Sequence, residues 1–183
     1  PTLAGVGNGA LRLIGESVAT VTITYTGTGS AIIMGGTANQ HRYYEATGFR
    51  LNQTGTVDTG IGVDNRRCLI DHVHDLIIAD FGTGILMDGL TSPEFTETPR
   101  ISNFYSVRNL IGIDVTGDCN NLLIDHCRLD EVGSPVGSIG IRSSSAQNPL
   151  LTIDHVWAAN FETAFSLASD YGFVLNCEAE NCT

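Results

Sequence analysis

Five aspartates occupy positions where carboxylate chemistry is available. Asp64, Asp88 and Asp114 each sit inside a short apolar segment, and Asp125 and Asp154 each stand between an isoleucine and a histidine. Two carboxylates held close together repel, so one keeps its proton as a general acid while the other stays ionised. A separation of about 5 Å suits a retaining glycosidase pair, and a diagonal one nearer 7 Å an inverting pair. A second group, Tyr105, Arg128, Trp157 and Arg142, combines aromatic rings with guanidinium forks. Such groups stack on sugar rings and bond to hydroxyls or carboxylates, and they are equally enriched in protein interfaces. A third set, His72, Asn103, His126, His155 and Asn176, recurs at one offset. Histidine exchanges there with asparagine, so the position needs a hydrogen-bonding side chain rather than a soft ligand. No His/Cys/carboxylate set has metal-ligand spacing, and neither a metal nor a cofactor is expected.

These groups are positioned by an internal repeat. Ala31-Ile32, Gly60-Ile61, Gly84-Ile85, Gly112-Ile113, Gly140-Ile141 and Ala164-Phe165 pair a small residue with an apolar one, the apolar members lying 29, 24, 28, 28 and 24 residues apart. A second apolar series, Tyr44, Ile70, Ile101, Ile124, Ile153 and Val174, keeps step with it. The segments are β-branched and alternate with period two, and helix periodicity is nearly absent. A unit of short strands and turns fits one coil of a parallel β-helix, each strand bonding to its equivalent about 4.8 Å along the axis. The expected fold is all-β, a right-handed parallel β-helix of about 6–7 coils, with Leu11-Arg12-Leu13 opening the seventh. An antiparallel sandwich is the rival, but it has no need of the same residue type at the same offset in every unit.

Strand alternation then assigns faces. Asp64 and Asp88 are expected to point outward in one column on adjacent coils, with Asp114 diagonal to Asp88. Asp71, Asp125 and Asp154 precede the ladder as turn caps, with Asp125 and Asp154 the second choice of acid pair. His74, Tyr105, Arg128, Trp157 and Glu178 follow it as an outward row. Leu69, Leu123 and Phe173 are outward apolar residues that a subunit interface would cover.

Composition excludes several chemistries. All nine basic residues are arginine, which removes Schiff-base and P-loop lysine chemistry. A net charge of −11 argues against a nucleic-acid backbone as partner. The 42% hydrophobic content excludes a disordered chain. No apolar run is long enough to span a membrane, and the first residues lack the pattern of a signal peptide. Five cysteines, Cys68, Cys119, Cys127, Cys177 and Cys182, show no disulfide spacing and read as free thiols.

The unit of small-apolar strand, turn, apolar strand and Asn-type ladder resembles the right-handed parallel β-helix of the pectate-lyase-like superfamily, which includes bacteriophage tailspikes. The strings Ile70-Asp71-His72-Val73 and Ile124-Asp125-His126-Cys127 are similar to the Ile-Asp-His stretch of pectate lyases, with Leu69 and Leu123 where those carry Trp. The resemblance covers about Ser30 to Cys182. It implies a homotrimeric virion component of a phage tail that assembles in the host cytoplasm with other virion proteins and binds, or also depolymerises, bacterial surface polysaccharide. A non-catalytic tail-fibre segment and a secreted bacterial polysaccharide lyase or hydrolase are the alternatives. Residues 1–183 are read as one domain from a longer chain, with 1–30 as an N-terminal coil or cap.

Overall fold

A computed structural model of the chain describes residues 2–3, 10–35, 43–55, 58–66, 70–89, 96–117, 119–133, 135–144, 149–168 and 171–183. Among them there is no helix, and the stretch from Trp157 to Phe165 is strand and turn like the rest. Thr2–Leu3, Ser30–Met34, Ile61–Arg66, Thr83–Asp88, Ile111–Thr116, Ile139–Ser143 and Thr163–Leu167 lie side by side, in chain order, as a first sheet. A second sheet takes Ala10–Ile14 and Thr22–Tyr25, then the long strands Tyr43–Gln53, Asp71–Ala79 and Arg100–Val107. It continues as three pairs: Leu123–Asp125 with Arg128–Asp130, Pro149–Asp154 with Trp157–Ala159, and Tyr171–Leu175 with Glu178–Glu180. The chain therefore passes repeatedly between two sheets, and each pass pairs in parallel with the one before. This all-β, long-sheeted arrangement is compatible with a solenoid.

Register is set by what lies between the sheets, because a residue's neighbours along the axis must share its face. In the first sheet Ile32, Val63, Ile85, Ile113, Ile141 and Phe165 form one row. In the second, Leu13, Ala46, Val73, Ile101, Ile124, Ile153 and Val174 form another. Val63, Ile85, Ile113, Ile101, Ile124 and Ile153 are fully buried and belong to one apolar cluster. Burial of such a side chain stabilises the fold by roughly 1.5–3 kcal/mol.

Two expected rows were misregistered. The first-sheet row passes through Val63 rather than Ile61, which pairs with Ser30 and Thr83. The second-sheet row passes through Ala46 and Val73 rather than Tyr44 and Ile70, and Ile70 is exposed. The misleading string is Ile70-Asp71-His72-Val73, which imitates Ile124-Asp125-His126-Cys127, whereas the structural equivalent of the latter is Val73-His74-Asp75-Leu76.

Glycine recurs beside the first core row for a steric reason. A Cβ on Gly62, Gly84 or Gly112 would meet the carbonyl oxygen of the next pass at 2.7, 2.7 and 2.6 Å.

The second sheet bends at a row of left-handed residues. Gly48, Asp75, Asn103, His126, His155 and Asn176 have φ between 48° and 75°. Asn, Asp and His tolerate this region better than other side chains, which accounts for their exchange in the row. Five residues later a second left-handed set follows at Asp80, Arg108, Asn160 and Asn181.

Candidate functional site

The outer face of the first sheet carries the three aspartates proposed for acid chemistry. Because of the two-residue slip at Val63, Asp64 and Asp88 do not share a row. Asp64 stands in register with Leu86, and Leu86 with Asp114, whereas Asp88 is in register with Arg66 and Thr116. Asp114 remains diagonal to Asp88, as expected. Asp64 is 0% exposed; it accepts a hydrogen bond from Ser30 Oγ at 2.6 Å and is forked by the Arg66 guanidinium, whose Nε donates at 2.7 Å. Asp114 is buried and forked by Arg142, with Nε to Oδ1 at 2.9 Å. Asp88 accepts from Thr116 Oγ1 at 3.1 Å. Both oxygens of Asp64 and of Asp114 are thus occupied by the paired donors of a guanidinium.

The outer face of the second sheet carries a denser polar cluster. Arg12 is ion-paired with the buried Glu45, and His74 joins them with Nε2 at 2.9 Å from Glu45 Oε1 and Nδ1 at 2.6 Å from Asp75 Oδ2. The Arg12 hydrogen bond, helped by His74, holds the Glu45 carboxyl below its usual range. His72 lies with its ring 4.0 Å from that of His74 and its Nε2 3.0 Å from Ser102 Oγ. Burial, reinforced by His74 and Arg100, pushes the His72 imidazole below its ordinary value. Arg100 forks Asp125 at 3.2 and 2.9 Å, and His126 approaches the same carboxylate at 3.1 Å. Burial alone would raise Asp125, but the Arg100 and His126 hydrogen bonds outweigh it and lower the carboxyl. Asp125 and Asp154 are in register on adjacent passes. Asp154 receives Asn176 Nδ2 at 2.9 Å and faces His155 Nδ1 at the same distance.

The expected ladder forms from Asn103, His126, His155 and Asn176, with Asp75 in the place assigned to His72. Its members bond sideways: Asn103 donates to Asp75 at 3.2 Å, and His126 and His155 stack with ring centroids 4.9 Å apart. Asp71, placed among the expected caps, pairs in register with Tyr44 and is buried three residues before His74, which holds the position equivalent to Asp125.

Beyond the ladder, Arg50, Ile77, Tyr105, Arg128, Trp157 and Glu178 occupy one outward row, with Ile77 where His74 was expected. The Arg128 guanidinium lies 5.1 Å from the Tyr105 ring and 4.5 Å from the Trp157 ring. Trp157 Nε1 donates to Glu180 at 3.2 Å, and Arg128 reaches Asp130 at 3.6 Å. Arg142 is on the first sheet and does not join this group.

Sequence reasoning put His74 in another row and missed its partner Glu45, together with Ser102, the Asp80–Arg108 pair and Asn109. Arg108 forks Asp80 at 2.6 and 2.8 Å. Asn109 is fully buried; it donates to Ile78 O and Ser106 Oγ, both at 2.8 Å, and accepts from Phe81 N–H. The signal that could have found the second corner is the constant step of five from Asp75 to Asp80, Asn103 to Arg108, His155 to Asn160 and Asn176 to Asn181.

Among the described residues no three His, Cys, Asp or Glu side chains converge as a metal-binding group. Cys119, Cys127, Cys177 and Cys182 are free thiols, and burial pushes Cys127 up to about 12; Cys68 and Leu69 lie outside the described residues. An apolar cavity of ≈ 170 Å³ lined by Leu151, Ile153, Leu167, Phe173 and Val174 is separate from all of these groups. No family model, curated protein or solved structure matches the chain.

Proposed function

We propose that the passes close into a right-handed parallel β-helix of about 6–7 coils, of the pectate-lyase-like kind used by phage tailspikes. In this reading the chain is part of a homotrimeric virion protein that binds bacterial surface polysaccharide. Parallel pairing of consecutive passes supports the helix, and right-handed crossovers are the strong default for parallel strands. One observation carries the binding: Tyr105, Arg128 and Trp157 project from consecutive strands of one flat face, with carboxylate acceptors beside them. Ring edges and guanidinium offer apolar contact and donors, while Asp130 and Glu180 offer acceptors for hydroxyls. The outward Phe173 and Leu123 would be covered where copies meet.

Binding without cleavage is the preferred form, because Asp64, Asp114 and Asp125 are each committed to an arginine. The test is retention on a panel of purified bacterial surface polysaccharides with reducing ends assayed in parallel. Trp157→Ala and Arg128→Ala should each weaken retention about tenfold, corresponding to about 1.4 kcal/mol, with no reducing ends released by the native chain. Undiminished retention by both variants would remove this face from consideration. Release of reducing ends that Asp88→Asn or Asp114→Asn abolishes would restore the depolymerase alternative.

A further inference from the structure

The charge on the binding face selects among polysaccharides. Seven of the nine arginines fall within the described residues, and six of them already face a carboxylate: Arg12 with Glu45, Arg66 with Asp64, Arg100 with Asp125, Arg108 with Asp80, Arg128 with Asp130 and Arg142 with Asp114. The seventh, Arg50, donates to the side chain of Asn52 at 2.9 Å. Recruiting any of the six to an anionic ligand means separating it from an internal partner. For Arg66, Arg100 and Arg142 that would strand a carboxylate that is largely or wholly buried, at a cost of the order of an unpaired buried charge.

The proposed binding row adds to this. Glu178 follows Trp157 in register, Glu180 accepts the indole N–H, and both are exposed. Arg128 is the cation nearest the rings and is shared with Asp130. A uronate lying across Trp157 would meet two carboxylates and one guanidinium that is already engaged. The whole chain, at −11, repels a polyanion at longer range as well. Neutral sugar hydroxyls find the opposite situation, since ionised carboxylates are strong acceptors for them.

We infer that the ligand of this face is a neutral polysaccharide and that uronate-bearing or otherwise carboxylated polymers are rejected electrostatically. The inference rests on the polysaccharide-binding reading above, and the experiment separates the two. The native 183-residue chain is passed over immobilised neutral and uronate-bearing bacterial polysaccharides, and over a retained neutral polymer before and after partial carboxymethylation. Salt is varied from about 10 mM to about 1 M, which takes the screening length from about 30 Å to about 3 Å.

Retention of the neutral polymer should change less than about twofold across this range, while carboxymethylation should cut retention at least about tenfold at low salt and much less at high salt. Glu178→Gln combined with Glu180→Gln should recover part of the low-salt loss. Tighter retention of the carboxylated polymer than of its neutral parent would overturn the inference and leave polysaccharide binding standing. A penalty unchanged between low and high salt would also overturn it, because the discrimination would then be steric. Retention of no polymer at any salt would overturn the binding reading, and this inference with it.

Discussion

At the scale of single residues, Glu45, Asp125 and the half-buried His72 shape how the fold responds to acid. Glu45 and Asp125 have carboxyls held below their ordinary range, the first chiefly by Arg12 and the second by Arg100 and His126 against the opposing pull of burial. A depressed group stabilises the fold above its unfolded pKa, and that stability is lost as pH falls through the folded one. His72, lowered by burial, follows the same sign because the unfolded chain takes up the proton first. Stability should therefore begin to fall just below about pH 6.5 from His72 and fall again below about pH 4 from the two carboxylates. Urea midpoints measured from neutral to acid pH should show His72→Gln flattening the first step and leaving the second. An unaltered first step would mean that another group titrates there. Glu131 has the opposite sign: burial raises it, so its contribution is present at low pH and lost as pH rises through the folded value. Its Oε2 is buried and has no hydrogen-bond partner among the described residues. Glu131→Gln should accordingly raise stability at neutral pH by about 1 kcal/mol.

At the scale of elements, the left-handed corner matters more than any individual bond in it. Asn103 has φ 48°, and a β-branched residue there carries a penalty of about 1–2 kcal/mol that glycine avoids. Asn103→Val should lower the urea midpoint by about that amount, and Asn103→Gly by less than about half of it despite losing the bond to Asp75. Equal losses would place the cost in the hydrogen bond instead of the backbone. This corner also explains what could be read in the sequence. Ile101, Ile124 and Ile153 were legible because each precedes a corner residue by two, and an apolar residue follows each corner residue. Val73-His74-Asp75 was overlooked because aspartate fills the corner there, and the neighbouring Ile70-Asp71-His72 matched the more familiar string. The outward faces of Asp64 and Asp88 survived the misregistration, since a slip of two preserves the side of a strand. Their supposed adjacency did not survive, and the arginine partners of Asp64 and Asp114 were left out of account: Arg66 stands two residues from Asp64 on the same strand, and Arg142 is in register with Asp114.

At the scale of the whole molecule, the step of five between corners recurs in four of the six passes that carry the first corner, whereas the other connections vary in length. Several Gly/Ser residues inserted after the exposed Gly133 should cost no more than about 0.6 kcal/mol, because lengthening a loop is entropically cheap. One residue inserted after Tyr105, between Asn103 and Arg108, should cost about 3 kcal/mol or more by reversing the faces of everything up to the next corner. Comparable losses from the two insertions would show that the step of five is not the constraint. Parallel pairing has one more consequence for these rows. With the paired strands of the second sheet all parallel, the order Tyr105, Arg128, Trp157, Glu178 differs when read from its two ends. A sugar polymer also has a reducing and a non-reducing end, so laying it along this row in one sense or the other brings different groups opposite each side chain. In the proposed binding mode such a face would distinguish the direction of a polymer as well as its composition.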